Sequence, residues 1–214
     1  MILRSNDFNS AIKAVMWGRN LFMNVQRFLQ FQMTCCFAVL VVVIFSYFVH
    51  QESALNAVNL IYINLVTDIF GALALASTKP TPEIAFYQAG KGNLMTPFMY
   101  RQIIGCMLGM VGVMMVIMCG EKSIFNLEYD NYEPTVKSPQ KMASYTLIWN
   151  TFIFLQLFNL INCRDVSATK MHGFANLHRN KFTVFIILVI VAVQSTACFT
   201  FLGRPIFEAD IHTG

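Results

Sequence analysis

The sequence predicts an all-α membrane protein, a bundle of five transmembrane helices. Three observations lead there. Of 214 residues, 56% are hydrophobic and only 12% charged, whereas soluble domains carry roughly a quarter charged residues. A mean hydropathy of +0.55, with 20 Phe and 13 Met, provides far more apolar surface than a disordered chain holds. Five stretches are nearly free of charge, each near the roughly 20 residues that cross about 30 Å of hydrocarbon at about 1.5 Å per residue. The net charge of +4 is too small to indicate nucleic acid as a partner, so the expected surroundings are the lipid bilayer.

Taken in order, residues 1–32 read as a cytosolic stalk, with an amphipathic helix over about Asn9 to Gln30, leading into the first span. This segment opens polar and lacks the short apolar core of a cleavable signal. The first span runs from about Met33 to Val49, and the second from about Ala57 to Ala76 with one acid, Asp68. Two prolines in Thr78 to Pro82 stop the second helix, because proline cannot continue the hydrogen-bond ladder. The third span, Gln102 to Gly120, is rich in Gly and Met. The fourth lies between Met142 and Cys163 and the fifth between Phe182 and Leu202, with a polar external connection at Asn131 to Gln140. The transmembrane domain thus covers 33–207, and 208–214 form a non-cytosolic tail.

An odd number of spans puts the termini on opposite sides. One side carries Arg4, Lys13, Arg19, Arg27, Lys79, Lys91, Arg101, Arg164, Lys170, Arg179 and Lys181; the other carries Lys122, Lys137, Lys141 and Arg204. The positive-inside rule therefore places the N-terminus in the cytosol. Seven acids, Glu52, Glu121, Glu128, Asp130, Glu133, Glu208 and Asp210, fall on the opposite side, where they can attract cations. Six cysteines sit mostly inside apolar runs without Cys-x-x-Cys spacing, which indicates neither a zinc site nor a disulfide framework.

Asp68 is the one fixed acid inside a span, at a cost of at least a few kcal/mol on insertion scales. In an α-helix Asn64, Thr67 and Asp68 stand at i, i+3 and i+4, which puts an amide oxygen, a hydroxyl and a carboxylate on one face. Hard cations such as calcium take an all-oxygen set of six to eight ligands, so other helices would complete the shell. Two readings fit the three residues: a metal site, or an interhelical hydrogen-bond cluster.

Four motifs carry a resemblance: KAVMWGRN at Lys13 to Asn20, FLQFQMT at Phe28 to Thr34, INLVTDIFGALALA at Ile63 to Ala76, and LFNLINCR at Leu157 to Arg164. Together, in this order and over nearly the whole chain, they resemble the C-terminal half of a P-type calcium-transporting ATPase of the plasma-membrane, calmodulin-regulated branch. The resemblance implies family membrane helices five to nine. It implies calcium as the transported ion and Asn64 and Asp68 as ligands. Thr67 is present as in the endoplasmic-reticulum branch. Two positions depart from the family: Cys36 stands where an Asn is usual, and a thiol is a poor ligand for a hard cation; Leu160 stands where the plasma-membrane motif has an acid.

Gln156 and Asn159 share a face of the fourth span, with Asn162 one step further. Gln156 resembles the neutral residue found in pumps that carry one calcium per cycle, and side-chain amides that glue helices together fit equally. Gly105-x-x-x-Gly109 reads as a helix contact. Met107, Met110, Met114, Met115 and Met118 read as packing or lipid-facing residues, and His50, His172, His178 and His212 as edge or loop residues. The DKTG phosphorylation motif, the TGE loop and the PEGL segment do not occur. Magnesium and ATP would then belong to a missing cytosolic part, the chain looks truncated at both ends, and it would not hydrolyse ATP alone. The expected function is the transmembrane cation-binding half of an ATP-driven calcium efflux pump, partnered by the remaining pump domains or another pump chain. Its expected place is the plasma membrane, with vacuolar or endoplasmic reticulum membrane as the other options. The alternative is a non-catalytic paralogue or fragment acting as a membrane interaction or regulatory protein.

Overall fold

Phe8 to His50, with no proline and one glycine to break it, makes a single unbroken helix of 43 residues, α1. At about 1.5 Å per residue it is roughly 65 Å long, more than twice the hydrocarbon thickness. The computed structural model describes residues 8–50, 53, 55–77, 80, 94–124, 139–164 and 181–199. After α1 the chain returns through α2 (Ala57–Tyr62), a π-helical segment (Ile63–Asp68) and α3 (Ile69–Ala76), which together form one crossing. The remaining helices are α4 (Pro97–Ile124), α5 (Pro139–Cys163) and α6 (Lys181–Phe199). Pro97 stands at the first position of α4 and Pro139 at that of α5, where a missing N–H leaves no bond unmade.

Among the described residues, five helical stretches are long and apolar enough to cross a membrane: Ser10–Val49, Ala57–Ala76, Pro97–Gly120, Ala143–Cys163 and Lys181–Cys198. The all-α class and the five spans of the sequence are both present. Residues 78, 79, 81 and 82 of the stop after span two, residues 131–138 of the external connection, the fifth span beyond 199, His172, His178, His212 and the 208–214 tail lie outside the described residues.

Side chains from α1, α4, α5, α6 and the second crossing pack into two apolar clusters. One, toward the Val49 end of α1, includes Cys35, Ala38, Val42, Ile63, Met110, Met114, Trp149, Phe152 and Ile153. The other includes Phe31, Val66, Ala74, Leu75, Leu157, Leu160, Ile186 and Ile190. Within the first, Tyr62 meets Trp149 edge-on with ring centroids 5.3 Å apart, a favoured aromatic geometry. Met110, Met114 and Met118 are buried against it, so those methionines pack, and Met107 and Met115 are partly buried beside them.

Glycine spacing works differently from the expectation for α4. A Cβ placed on Gly105 or Gly109 would meet nothing within 4 Å, so this pair makes no helix contact among the described residues. The reason is that α4 turns its methionine face inward and its glycines outward, along a groove shared with Phe158 and Asn162 of α5. The close approach is instead at Gly71, where a Cβ would lie 2.8 Å from Cε1 of the buried Phe31 ring. This glycine lets α3 settle onto α1.

The stalk part of α1 is also inverted relative to a water-facing amphipathic helix. Phe8, Ile12, Val15, Trp17 and Leu21 point outward, while Asn20 and Asn24 are buried. Asn24 turns inward because it finds a carbonyl there: its Nδ2 donates to the Ala76 carbonyl at 3.3 Å, while Gln26 Nε2 donates to that of Leu94 at 3.1 Å at the surface. The first of these satisfies one of the carbonyls left open at the end of α3.

The contrast between the glycines is testable by thermal unfolding in detergent. Gly71→Ala should lower the midpoint, since overpacking costs about 1–3 kcal/mol. Gly109→Ala should leave it unchanged or raise it, because about 1 kcal/mol of helix propensity is gained at no steric cost. A Gly71→Ala midpoint at or above wild type would contradict the close approach.

Candidate cation site

The two apolar clusters leave a polar layer between them. Thr34 follows Phe31 and precedes Cys35 on α1, Gln156 falls between Ile153 and Leu157 on α5, and Thr67 and Asp68 follow Val66 on the second crossing. Thr34 and Gln156 thus sit where one cluster hands over to the other, and Thr67 and Asp68 lie just past that point, within the stretch of the second cluster.

The backbone at this level is not α-helical. Thr67 Oγ1 donates to the carbonyl of Ile63, four residues back, which is the acceptor an α-helix would assign to the Thr67 N–H. The turn widens here into the π-helical segment Ile63–Asp68, in which each residue rotates through less than the roughly 100° of an α-helix. Asn64 and Asp68 therefore stay close in angle, and Thr67 turns further from Asn64 than α-helical spacing would put it. Asn64 points outward from the described bundle, Thr67 is buried with its hydroxyl hydrogen committed to its own backbone, and Asp68 is half-buried.

Asp68 instead meets a residue that the sequence did not single out. Gln32 Nε2 of α1 donates to Asp68 Oδ2 at 2.8 Å, a hydrogen bond to a group that carries charge when ionised and so belongs to the stronger class. The same nitrogen lies 3.6 Å from Cys36 Sγ, one turn along α1. Gln32 was hidden because it precedes the apolar run from Met33; the signal was its place one turn before Cys36 in FLQFQMT. The antiparallel pairing of Gln32 with Asp68 and of Asn24 with Ala76 is in one register, so the part of α1 that runs beside the second crossing extends below Met33.

Several oxygens in this layer have no hydrogen-bond partner among the described residues although they are buried: Asp68 Oδ1, Gln32 Oε1 and Gln156 Oε1, the last with its own Nε2 also unpartnered. Asn159, by contrast, is fully used. Its Nδ2 donates to the Phe31 carbonyl at 3.4 Å, and its Oδ1 accepts from the Cys163 thiol at 3.5 Å. Asn159 is a helix-gluing amide, and Gln156 is not satisfied as one. Among the described residues no three His, Cys, Asp or Glu side chains cluster, so an ion held here would have one carboxylate and otherwise neutral oxygens. That donor set suits a hard cation and not a soft one.

The profile of the family described as Cation transporting ATPase, C-terminus, matches residues 52–212. The chain belongs to this family. Among individual relatives of this C-terminal ATPase segment, it is 32% identical over 212 residues to plasma membrane calcium-transporting ATPase 4 of Homo sapiens. It is 33% identical over 207 residues to plasma membrane calcium-transporting ATPase 2 of Oreochromis mossambicus, and 34% over 211 residues to plasma membrane calcium-transporting ATPase 1 of Gallus gallus. Each alignment takes in 96% of this chain and 16%, 18% and 17% of the respective relative, so the ATPase segment spans less than a fifth of the length of the relatives it matches. Leu160, one of its departures from the expected motif, is buried in the second apolar cluster, where a carboxylate would have to be paired.

The difference between the two amides of α5 predicts opposite responses to removal. Gln156→Met takes away two buried groups that make no bond and keeps the shape, which is neutral or stabilising. Asn159→Leu removes a bond across helices, for which measured values in membranes average about 0.6 kcal/mol and reach about 1.7. Unfolding midpoints of the detergent-solubilised variants would show this, and a larger loss for Gln156→Met than for Asn159→Leu would contradict the assignment.

Proposed function

We propose that the chain is the cation-translocating membrane part of an ATP-driven calcium efflux pump. The observation that carries the reading is a lone carboxylate at the end of a π-helical segment, beside buried oxygens without partners. Irregular backbone inside a span is tolerated where it lines an ion path, π segments recur at functional sites, and an intramembrane acid marks an ion path by default. The relatives are named as calcium-transporting ATPases, which supports calcium as cargo.

In this reading Asp68 supplies the charge that draws a divalent ion from water, and Asn64 and Thr67 supply neutral oxygens. The outward direction of Asn64 suits a site completed by helices of the remaining pump or of another pump chain. ATP and magnesium act in that remaining part. Phosphorylation there shifts the stalk, and α1, being one rigid rod from Phe8 to His50, carries the shift to the level of Asp68. The N-terminus is cytosolic and the membrane is the plasma membrane. Glycosylation acceptors placed before Asn9 and after Gly203 test the orientation: modification is expected only at the second site, and modification at the first would reverse it.

The functional test is Asp68→Asn in a complete pump assembled around this segment. The amide nearly preserves the shape and removes the charge, so calcium-dependent phosphoenzyme should be lost while membrane insertion persists. Wild-type calcium dependence in that variant would make Asp68 a structural hydrogen-bond partner and would favour the reading of a membrane interaction protein.

A further inference from the structure

We infer that Gln32 is a switchable partner of Asp68: with no ion present its amide N–H holds the carboxylate, and when a calcium ion enters, the same amide turns and offers Oε1 as a ligand. The inference rests on the reading of Asp68 as a cation-binding residue.

A side-chain amide has two donor hydrogens at one end and an acceptor oxygen at the other. In the structure the donor end is fully engaged, toward Asp68 Oδ2 at 2.8 Å and Cys36 Sγ at 3.6 Å. The acceptor end is buried and has no partner, and the second carboxylate oxygen, Asp68 Oδ1, is in the same condition. A residue that served only to orient the carboxylate would have no use for an acceptor kept dry beside it. The two ends of an amide are nearly equal in size, and its last side-chain torsion is broad and close to two-fold. A half-turn there exchanges donor for acceptor without moving α1. The direction of the exchange follows from charge, since a carboxylate accepts a hydrogen from the N–H, whereas a cation beside that carboxylate repels the N–H and attracts the oxygen.

Cys36 cannot take this role, because its sulfur is a soft donor and here only accepts from the same amide. Gln156 also has an unpartnered buried amide, yet no bond ties it to the carboxylate. Gln32 is the amide held against Asp68 and able to follow it between two states.

The test compares Gln32→Glu with Gln32→Leu by calorimetric titration of calcium into a complete pump assembled around this segment in lipid nanodiscs, with circular dichroism to confirm equal helix content. Glu keeps an oxygen and loses the donor; Leu loses both. If Gln32 ligates, Gln32→Leu weakens calcium binding by about ten- to hundredfold, the range for losing a residue that supports a metal site, and Gln32→Glu binds at least as tightly as wild type. If Gln32 is only a hydrogen-bond donor, the second carboxylate of Gln32→Glu is the more damaging change, and that order overturns the inference. Asp68→Asn separates the two levels of the argument. Loss of binding there, with both Gln32 variants equal to wild type, sinks the role of Gln32 and leaves Asp68 standing; unaltered binding in Asp68→Asn, or none in wild type, removes the site and the role of Gln32 with it.

Discussion

A carboxylate inside a lipid-crossing helix has to be given a partner, and the rest of this fold follows from that requirement. Hydrocarbon offers Asp68 no solvation. The hydrogen bond from Gln32 meets the need, but only if α1 and the second crossing run antiparallel in one register and close together. Gly71 supplies the closeness by leaving room for the Phe31 ring, and the bond from Asn24 to the Ala76 carbonyl fixes the register eight residues away on each strand of the pair. The two apolar clusters then pack above and below, so that the polar layer is confined to one depth.

The second crossing is irregular at this layer: Thr67 Oγ1 donates to the Ile63 carbonyl within a π-helical segment. A widened turn exposes backbone and redirects side chains, which in a membrane is tolerable only where the freed groups face protein or an ion path. Asn64 is exposed, Thr67 buried and Asp68 half-buried, so the three do not meet the same surroundings.

The five crossings were legible because apolar length is a strong signal that depends on composition alone. Asp68 was legible for the complementary reason, as the one fixed charge within those lengths. What the sequence could not convey was anything set by a partner helix or by a departure from α geometry. Gln32 lies just before the apolar run and is ordinary until the opposing carboxylate is seen. The pattern Gly105-x-x-x-Gly109 has the spacing of a helix contact, but the contact forms through the methionines on the other side of α4, whereas the solitary Gly71 makes the close approach. The reading of Ile63–Asp68 as ordinary helix assumed about 100° per residue, whereas the segment is π-helical.

α1 is unbroken from Phe8 to His50, and the π-helical turn lies opposite it, at the level where Gln32 meets Asp68. The most direct measurement of this account is a calcium-induced infrared difference spectrum of a complete pump assembled around this segment in lipid, recorded for wild type and Asp68→Asn with glutamine isotopically labelled at the side-chain amide. The account predicts that calcium shifts a carboxyl band that is missing in Asp68→Asn and, together with it, a labelled glutamine amide band. A wild-type spectrum with neither shift, or the same carboxyl band in both proteins, would contradict it.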